Sequence, residues 1–178
     1  MTSAENPLLR VGELPRFDAI TAAHVEPAIR ELLPRQQAAL DALEGAHAPT
    51  WDGLVVPLRR LAEPLSSAWG VVGHLISVKN APELRQAHER AQPEVVAARM
   101  RIDQSEPLYR GLKRVLTEDR SLDSGRKRVV EQMVRDAELA GIGLQGAQRE
   151  RFNALEIELS ELATRYQNQL LDATKAFA

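Results

Sequence analysis

Residues 50–75 read TWDGLVVPLRRLAEPLSSAWGVVGHL. In this stretch Trp51, Leu54, Leu58, Leu61, Leu65, Ala68, Val72 and Leu75 follow one another at alternating steps of three and four. That is the spacing of one face of a helix, repeated for seven turns. Thr50, just after Pro49, is placed to cap its N-terminus. Pro57 and Pro64 lie inside the run, so the spacing predicts a kinked bundle helix rather than a coiled-coil seam, ending near Lys79.

The same period recurs on both sides. Upstream, Val25, Ile29, Leu32, Leu33, Leu40 and Leu43 predict a first helix over Thr21–Glu44, with Pro27 in its first turn and Pro34 as a kink or interruption. Downstream, Asn80-Ala81-Pro82-Glu83 restarts the helix with a cap, a first-turn proline and a glutamate that can reach back to the cap. Leu84, Ala87, Ala91, Val95, Ala98 and Ile102 form the buried stripe of this third helix. A fourth helix follows Ser105, and a fifth spans Asp123–Ala140. The sixth covers Gln148–Phe177, with Phe152, Leu155, Leu159, Leu162, Tyr166 and Leu170 on one face.

No stretch alternates at period two, and no solenoid repeat is present. The fold class expected is all-α: a bundle of about six helices, several kinked by proline, over residues 21–178. Residues 1–20 read as an extended arm that Leu8, Leu9, Leu14, Phe17 and Ile20 can pin to the bundle.

Composition agrees. Of 178 residues, 44% are hydrophobic and only 4% aromatic, so a core of Leu, Val and Ala forms and suits helix packing. A chain of this size buries roughly 70% of its unfolded surface. The net charge of −2 gives no general attraction for nucleic acid. Absence of cysteine excludes disulfides, thiolate zinc ligands and thiol catalysis. The N-terminus shows no basic region followed by an apolar run, and no stretch approaches the ~20 apolar residues that span a bilayer. The expectation is a cytoplasmic protein without a membrane partner.

The chemical motifs are weak. Gly141-Ile142-Gly143-Leu144-Gln145-Gly146 matches G-x-G-x-x-G, but the dinucleotide fingerprint requires a preceding strand, and here a helix precedes it. The expectation is a helix stop at Gly141 and a tight loop. His88-Glu89-Arg90-Ala91-Gln92 falls one residue short of H-E-x-x-H, because Gln92 replaces the second zinc-binding histidine. His24, His47 and His74 have no ligand spacing, and His74 is expected as a partly buried, hydrogen-bonded side chain. From Arg110 to Arg128 seven basic residues meet three acidic ones, with one aromatic, Tyr109, at the edge. A solvated face or interdomain contact is the reading, with RNA binding as the alternative. No residue receives a catalytic, cofactor-binding or metal role.

A sequence of short blocks is more specific than any of these. Asn6-Pro7-Leu8-Leu9 is followed by Leu14-Pro15-x-Phe17, then by Ala23-His24-Val25-Glu26-Pro27-Ala28-Ile29 and Thr50-Trp51. Next come His74-Leu75-Ile76-Ser77-Val78-Lys79-Asn80-Ala81-Pro82-Glu83-Leu84-Arg85 and Arg135-Asp136-Ala137-Glu138-Leu139-Ala140-Gly141-Ile142-Gly143-Leu144. Leu159-Ser160-Glu161-Leu162 and Asn168-Gln169-Leu170-Leu171-Asp172-Ala173-Thr174 complete the series. In this order and spacing the chain resembles, over essentially its whole length, the N-terminal lobe of the thimet oligopeptidase-like zinc metallopeptidases, in their bacterial oligopeptidase branch.

The resemblance implies a two-lobed helical enzyme whose channel admits short peptides. It also implies a zinc site, built on H-E-x-x-H and a further glutamate, in a C-terminal catalytic domain. None of those zinc positions occurs among these residues, so no zinc is expected here. The sixth helix reaches Phe177 without a Gly or Pro stop, which reads as truncation at 178 before the catalytic domain. Uncovered apolar surface is then expected on that helix and around Leu8 and Leu9, with self-association as its consequence. A free-standing helical adapter that binds a protein partner is the alternative.

Overall fold

The structure, a computed structural model, describes residues 6–10, 12–79 and 81–177. The cap expected of Asn80 therefore lies outside the described residues, as does the start of the arm at Met1–Glu5. The described residues form six α-helices: α1 (Ala22–Gly45), α2 (Val56–Val78), α3 (Pro82–Asp103), α4 (Glu106–Glu118), α5 (Ser124–Leu139) and α6 (Gly146–Phe177). No strand occurs among the described residues, and the all-α fold class stands.

Local chemistry sets the helix boundaries. Thr50 caps as its sequence suggests, accepting a hydrogen bond from Gly53 N at 3.0 Å, but the turn it opens, Trp51–Val55, is a π turn that leads into α2. Ser105 starts α4 by accepting from Leu108 N, and Asp123 starts α5 by accepting from Arg126 N. α1 runs through Pro34 without interruption. Gly141, at φ +81°, follows the end of α5, and a Cβ there would lie 2.9 Å from Leu144 Cδ1. Only glycine takes that left-handed conformation without strain, so the chain turns there.

The residues divide into two compact units. One takes the chain before Arg35, Glu63–Ala97 and the chain after Asn153; the other takes Arg35–Ala62 and Ala98–Asn153. In the first unit Val25, Ile29, Leu65, Val72, Leu75 and Leu84 are buried. Asn6 pins the chain start here, donating to His24 O at 2.9 Å and accepting from Leu8 N. Leu8 is consequently buried, as a pinning residue should be and contrary to the expectation of uncovered apolar surface there, while Leu14, expected to pin as well, points to solvent. Phe17 packs against the His74 ring at 5.3 Å, and its carbonyl accepts from Lys79 Nζ at 3.3 Å.

In the second unit Leu40, Leu43, Leu54, Leu58, Leu108 and Val115 belong to one core cluster. A charged network sits beside it. Arg101 donates twice to Glu44, at 2.6 and 2.7 Å, and Ser105 Oγ adds a third bond at 2.5 Å. The Arg101 guanidinium holds the Glu44 carboxyl below the usual carboxylate range, against the opposing effect of burial.

Candidate functional site

α6 is the longest helix and buries no residue. Its one polar column packs on α3 within the first unit. Gln92, itself buried, donates from Nε2 to both the carbonyl and the hydroxyl of Ser160, and its Oε1 accepts from Thr164 Oγ1 at 3.1 Å. One turn on, Asn168 Nδ2 donates to Glu89 Oε1 at 3.1 Å. A further turn brings Arg85 against Asp172 in a bidentate pair at 2.6 and 2.9 Å. The guanidinium holds the Asp172 carboxyl below its ordinary range. Ser160, Thr164, Asn168 and Asp172 stand four apart, so they line one side of the helix.

The apolar stripe lies on the other side. At 100° per residue Leu155, Leu159, Leu162, Tyr166 and Leu170 centre about 180° from the polar column. All are exposed, Leu159 by 61% and Tyr166 by 63%. Periodicity identified the stripe, but only Phe152 at its start is partly buried; the other five face solvent, and the polar side faces protein. The polar column was missed in the sequence, although its spacing of four was the available signal. An exposed row of large apolar side chains at helical spacing is the mark of a surface that docks a partner.

The weak motifs resolve into structural roles. His88 stacks on Trp69 at a centroid distance of 4.2 Å and an interplanar angle of 16°. Burial lowers its pKa to about 4, and its Nδ1 is buried without a hydrogen-bond partner among the described residues. With His88 against an indole and the Gln92 amide committed to α6, the His88–Gln92 turn does not fit zinc. Among the described residues no three His, Asp or Glu side chains converge as a metal site would require.

His24 Nδ1 accepts from Thr21 N at the start of α1, and His47 Nδ1 lies 2.9 Å from Leu43 O. His74 is exposed and its ring makes no hydrogen bond among the described residues, so the buried role expected for it is corrected. Gly141–Gly146 joins α5 to α6, which removes the strand the dinucleotide fingerprint needs. In the basic segment Arg110 pairs with Glu106, Arg114 with Glu118, Arg126 with Asp123 and Lys127 with Glu131. Lys113 lies over the Tyr109 ring. Most of that positive charge is locally answered, as on a solvated helix face.

Residues 29–149 match the family model described as neurolysin/thimet oligopeptidase, N-terminal domain. A probable cytosolic oligopeptidase A of Arabidopsis thaliana is 43% identical over 99% of this chain and 25% of its own length. An organellar oligopeptidase A from the same plant, chloroplastic/mitochondrial, is 42% identical over 99% of this chain and 22% of its own. The oligopeptidase A of Escherichia coli is 37% identical over 95% of this chain and 25% of its own. The chain thus spans about a quarter of the length of these relatives.

Proposed function

The chain belongs to the neurolysin and thimet oligopeptidase N-terminal-domain family, and from that premise we propose that it is the N-terminal lobe of a longer peptidase of the oligopeptidase A type. In this reading the whole polypeptide is a zinc-dependent metalloendopeptidase that hydrolyses short peptides in the cytoplasm. The 178 residues form one wall of its substrate channel and bind no zinc, and the metal belongs to the C-terminal catalytic domain. No role in binding nucleic acid or membrane is assigned to the lobe; no helix among the described residues is long and apolar enough to cross a membrane.

The observation that carries this reading, beside the relatives, is the outward apolar face of α6. A helix tied down on one side by hydrogen bonds and apolar on the other is built to lie between two bodies. The catalytic domain of the same polypeptide is the proposed second body.

The test compares the 178-residue chain with the polypeptide extended to the length of its relatives, on an internally quenched peptide. The extended form is expected to cleave it and to lose activity to a chelator; the 178-residue chain is expected to do neither. Chelator-sensitive cleavage by the short chain alone overturns the reading. The same α6 face favours one rival, a helical adapter that binds a partner helix, and a reading frame that closes after Ala178 would decide for it. In either case the isolated chain is expected to self-associate through α6, as a sedimentation coefficient that rises with concentration.

A further inference from the structure

A cavity in the second unit plays no part in the proposed function. It holds about 200 Å³ between α2, α3, α4 and α5, on the scale of the ~150 Å³ engineered cavities that accept benzene. Leu58, Leu108 and Leu112 are buried in its lining, with Ile102 and Met133 partly so. Against this apolar lining stand two carboxylates, Asp103 near the end of α3 and Asp136 on α5.

Neither carboxylate is fully committed. Asp136 accepts from Gln132 Nε2 at Oδ1, 2.7 Å away, and makes no bond at Oδ2 among the described residues. Asp103 meets Arg99 at 3.5 Å, but that arginine is 85% exposed and solvent screens the pair. Burial holds the Asp103 carboxyl above its ordinary range, and the charge of Asp136 pushes the same way. A cation between them answers both effects. Of the other polar lining groups, Tyr109 donates its hydroxyl to Glu138 at 2.7 Å and Ser105 is spent on Glu44. Arg59 also lines the cavity and, like Asp136, is exposed to solvent, so one positive charge stands against two negative ones and the balance at the lining is negative.

We propose that this cavity binds the protonated N-terminus of a peptide with an aliphatic first residue, the side chain resting on Leu58, Leu108 and Met133 and the ammonium facing Asp103 and Asp136. A free amino acid is a poorer ligand, because its carboxylate would approach the same two acids. The proposal requires only this chain and does not rest on the peptidase reading.

The test is methyl NMR on the 178-residue chain at about pH 6.5, where an α-amino group is protonated. L-leucinamide is expected to give saturable shifts of the Met133 and Ile102 methyls with a Kd of about 1–10 mM, the range of a fragment-sized ligand. The uncharged 4-methylpentanamide, which has the same apolar body, and L-leucine are each expected to bind about tenfold more weakly.

Asp136→Asn, an exposed-residue change that leaves the fold intact, is expected to weaken leucinamide about threefold to tenfold, and Asp103→Asn likewise. Leucyl-glycinamide binding as well as leucinamide assigns the site to peptide N-termini; binding of leucinamide alone overturns the peptide assignment. No saturable shift up to about 20 mM, equal binding of the uncharged analogue, or unchanged affinity in Asp136→Asn overturns the site itself.

Discussion

α4 and α6 carry similar apolar spacing and meet opposite fates. α4, in the second unit, has 13 residues and buries Leu108, Gly111, Leu112 and Val115. α6, with its C-terminal portion in the first unit, has 32 and buries none. One is held by apolar packing, the other by hydrogen bonds that Arg85 and Gln92 donate to it and Glu89 accepts from it. Periodicity thus shows that a helix has an apolar face. It does not show whether that face meets the core of its own domain or another body.

The contrast breaks most sharply under truncation. Leu54 is fully buried in the second core, so Leu54→Ala is expected to cost about 3–4 kcal/mol, since a cavity is left as well as a methyl-rich side chain lost. Urea unfolding followed by circular dichroism reads this directly. Gly111→Ala tests the same core by crowding. Its Cβ would lie 2.6 Å from His47 Nε2 and 2.7 Å from Leu54 Cδ2, which predicts a loss of about 2 kcal/mol. A stability unchanged by Gly111→Ala would mean that α4 sits further from its neighbours than described.

On the α6 side the corresponding tie is Gln92. Gln92→Leu keeps the volume but strips Ser160 and Thr164 of their shared partner. About 1–2 kcal/mol is expected to be lost. Faster amide exchange along α6 should accompany the loss, with α4 unaffected. Equal acceleration in α4 would mean that the two regions open as one cooperative unit.

Much of this was legible in the sequence. Thr50 announced its helix start, because a short polar side chain before an apolar run has a defined hydrogen-bonding task; the starts of α4 and α5 were placed near Ser105 and Asp123, and only the structure shows these two residues as caps. The stop at Gly141 was equally readable. Burial was less so. Leu8 and Leu14 look alike in sequence, yet only Leu8 is fixed by the hydrogen bonds of Asn6. His74 adjoins buried Leu75 but faces outward. The carboxylates Asp103 and Asp136 gave no signal at all, because they lie 33 positions apart in the chain and only packing brings them to one cavity.

Acid should act on α2 and α3 through His88. Its pKa of about 4 in the folded chain lies below the ~6.5 of an unfolded one. The unfolded chain therefore takes up the proton first. Stability is full above about pH 6.5, falls as pH drops towards 4, and His88 removes nothing further below that. His88 is only partly buried, so solvent screens the effect and the loss is expected to be about 1–2 kcal/mol. The depressed carboxyls of Glu44 and Asp172 act in a lower window, losing their contribution as pH falls below the ordinary carboxylate range. His88→Phe, which keeps a ring against Trp69, is expected to abolish the upper slope and leave the lower one.

The smallest expected effect is the most informative about α6. Leu159→Gln exchanges one good helix former for another at a position 61% exposed. If that face is open in the isolated chain, stability should change by less than about 0.5 kcal/mol, while association at high concentration weakens. A loss of about 2 kcal/mol or more in a dilute monomer would mean that the stripe is already covered by its own domain, and the proposed docking face would fall. In the extended polypeptide the same substitution should become costly, because a leucine that faces water in one context is then buried in the other. The difference between the two measurements, rather than either alone, reports what lies on the apolar side of α6.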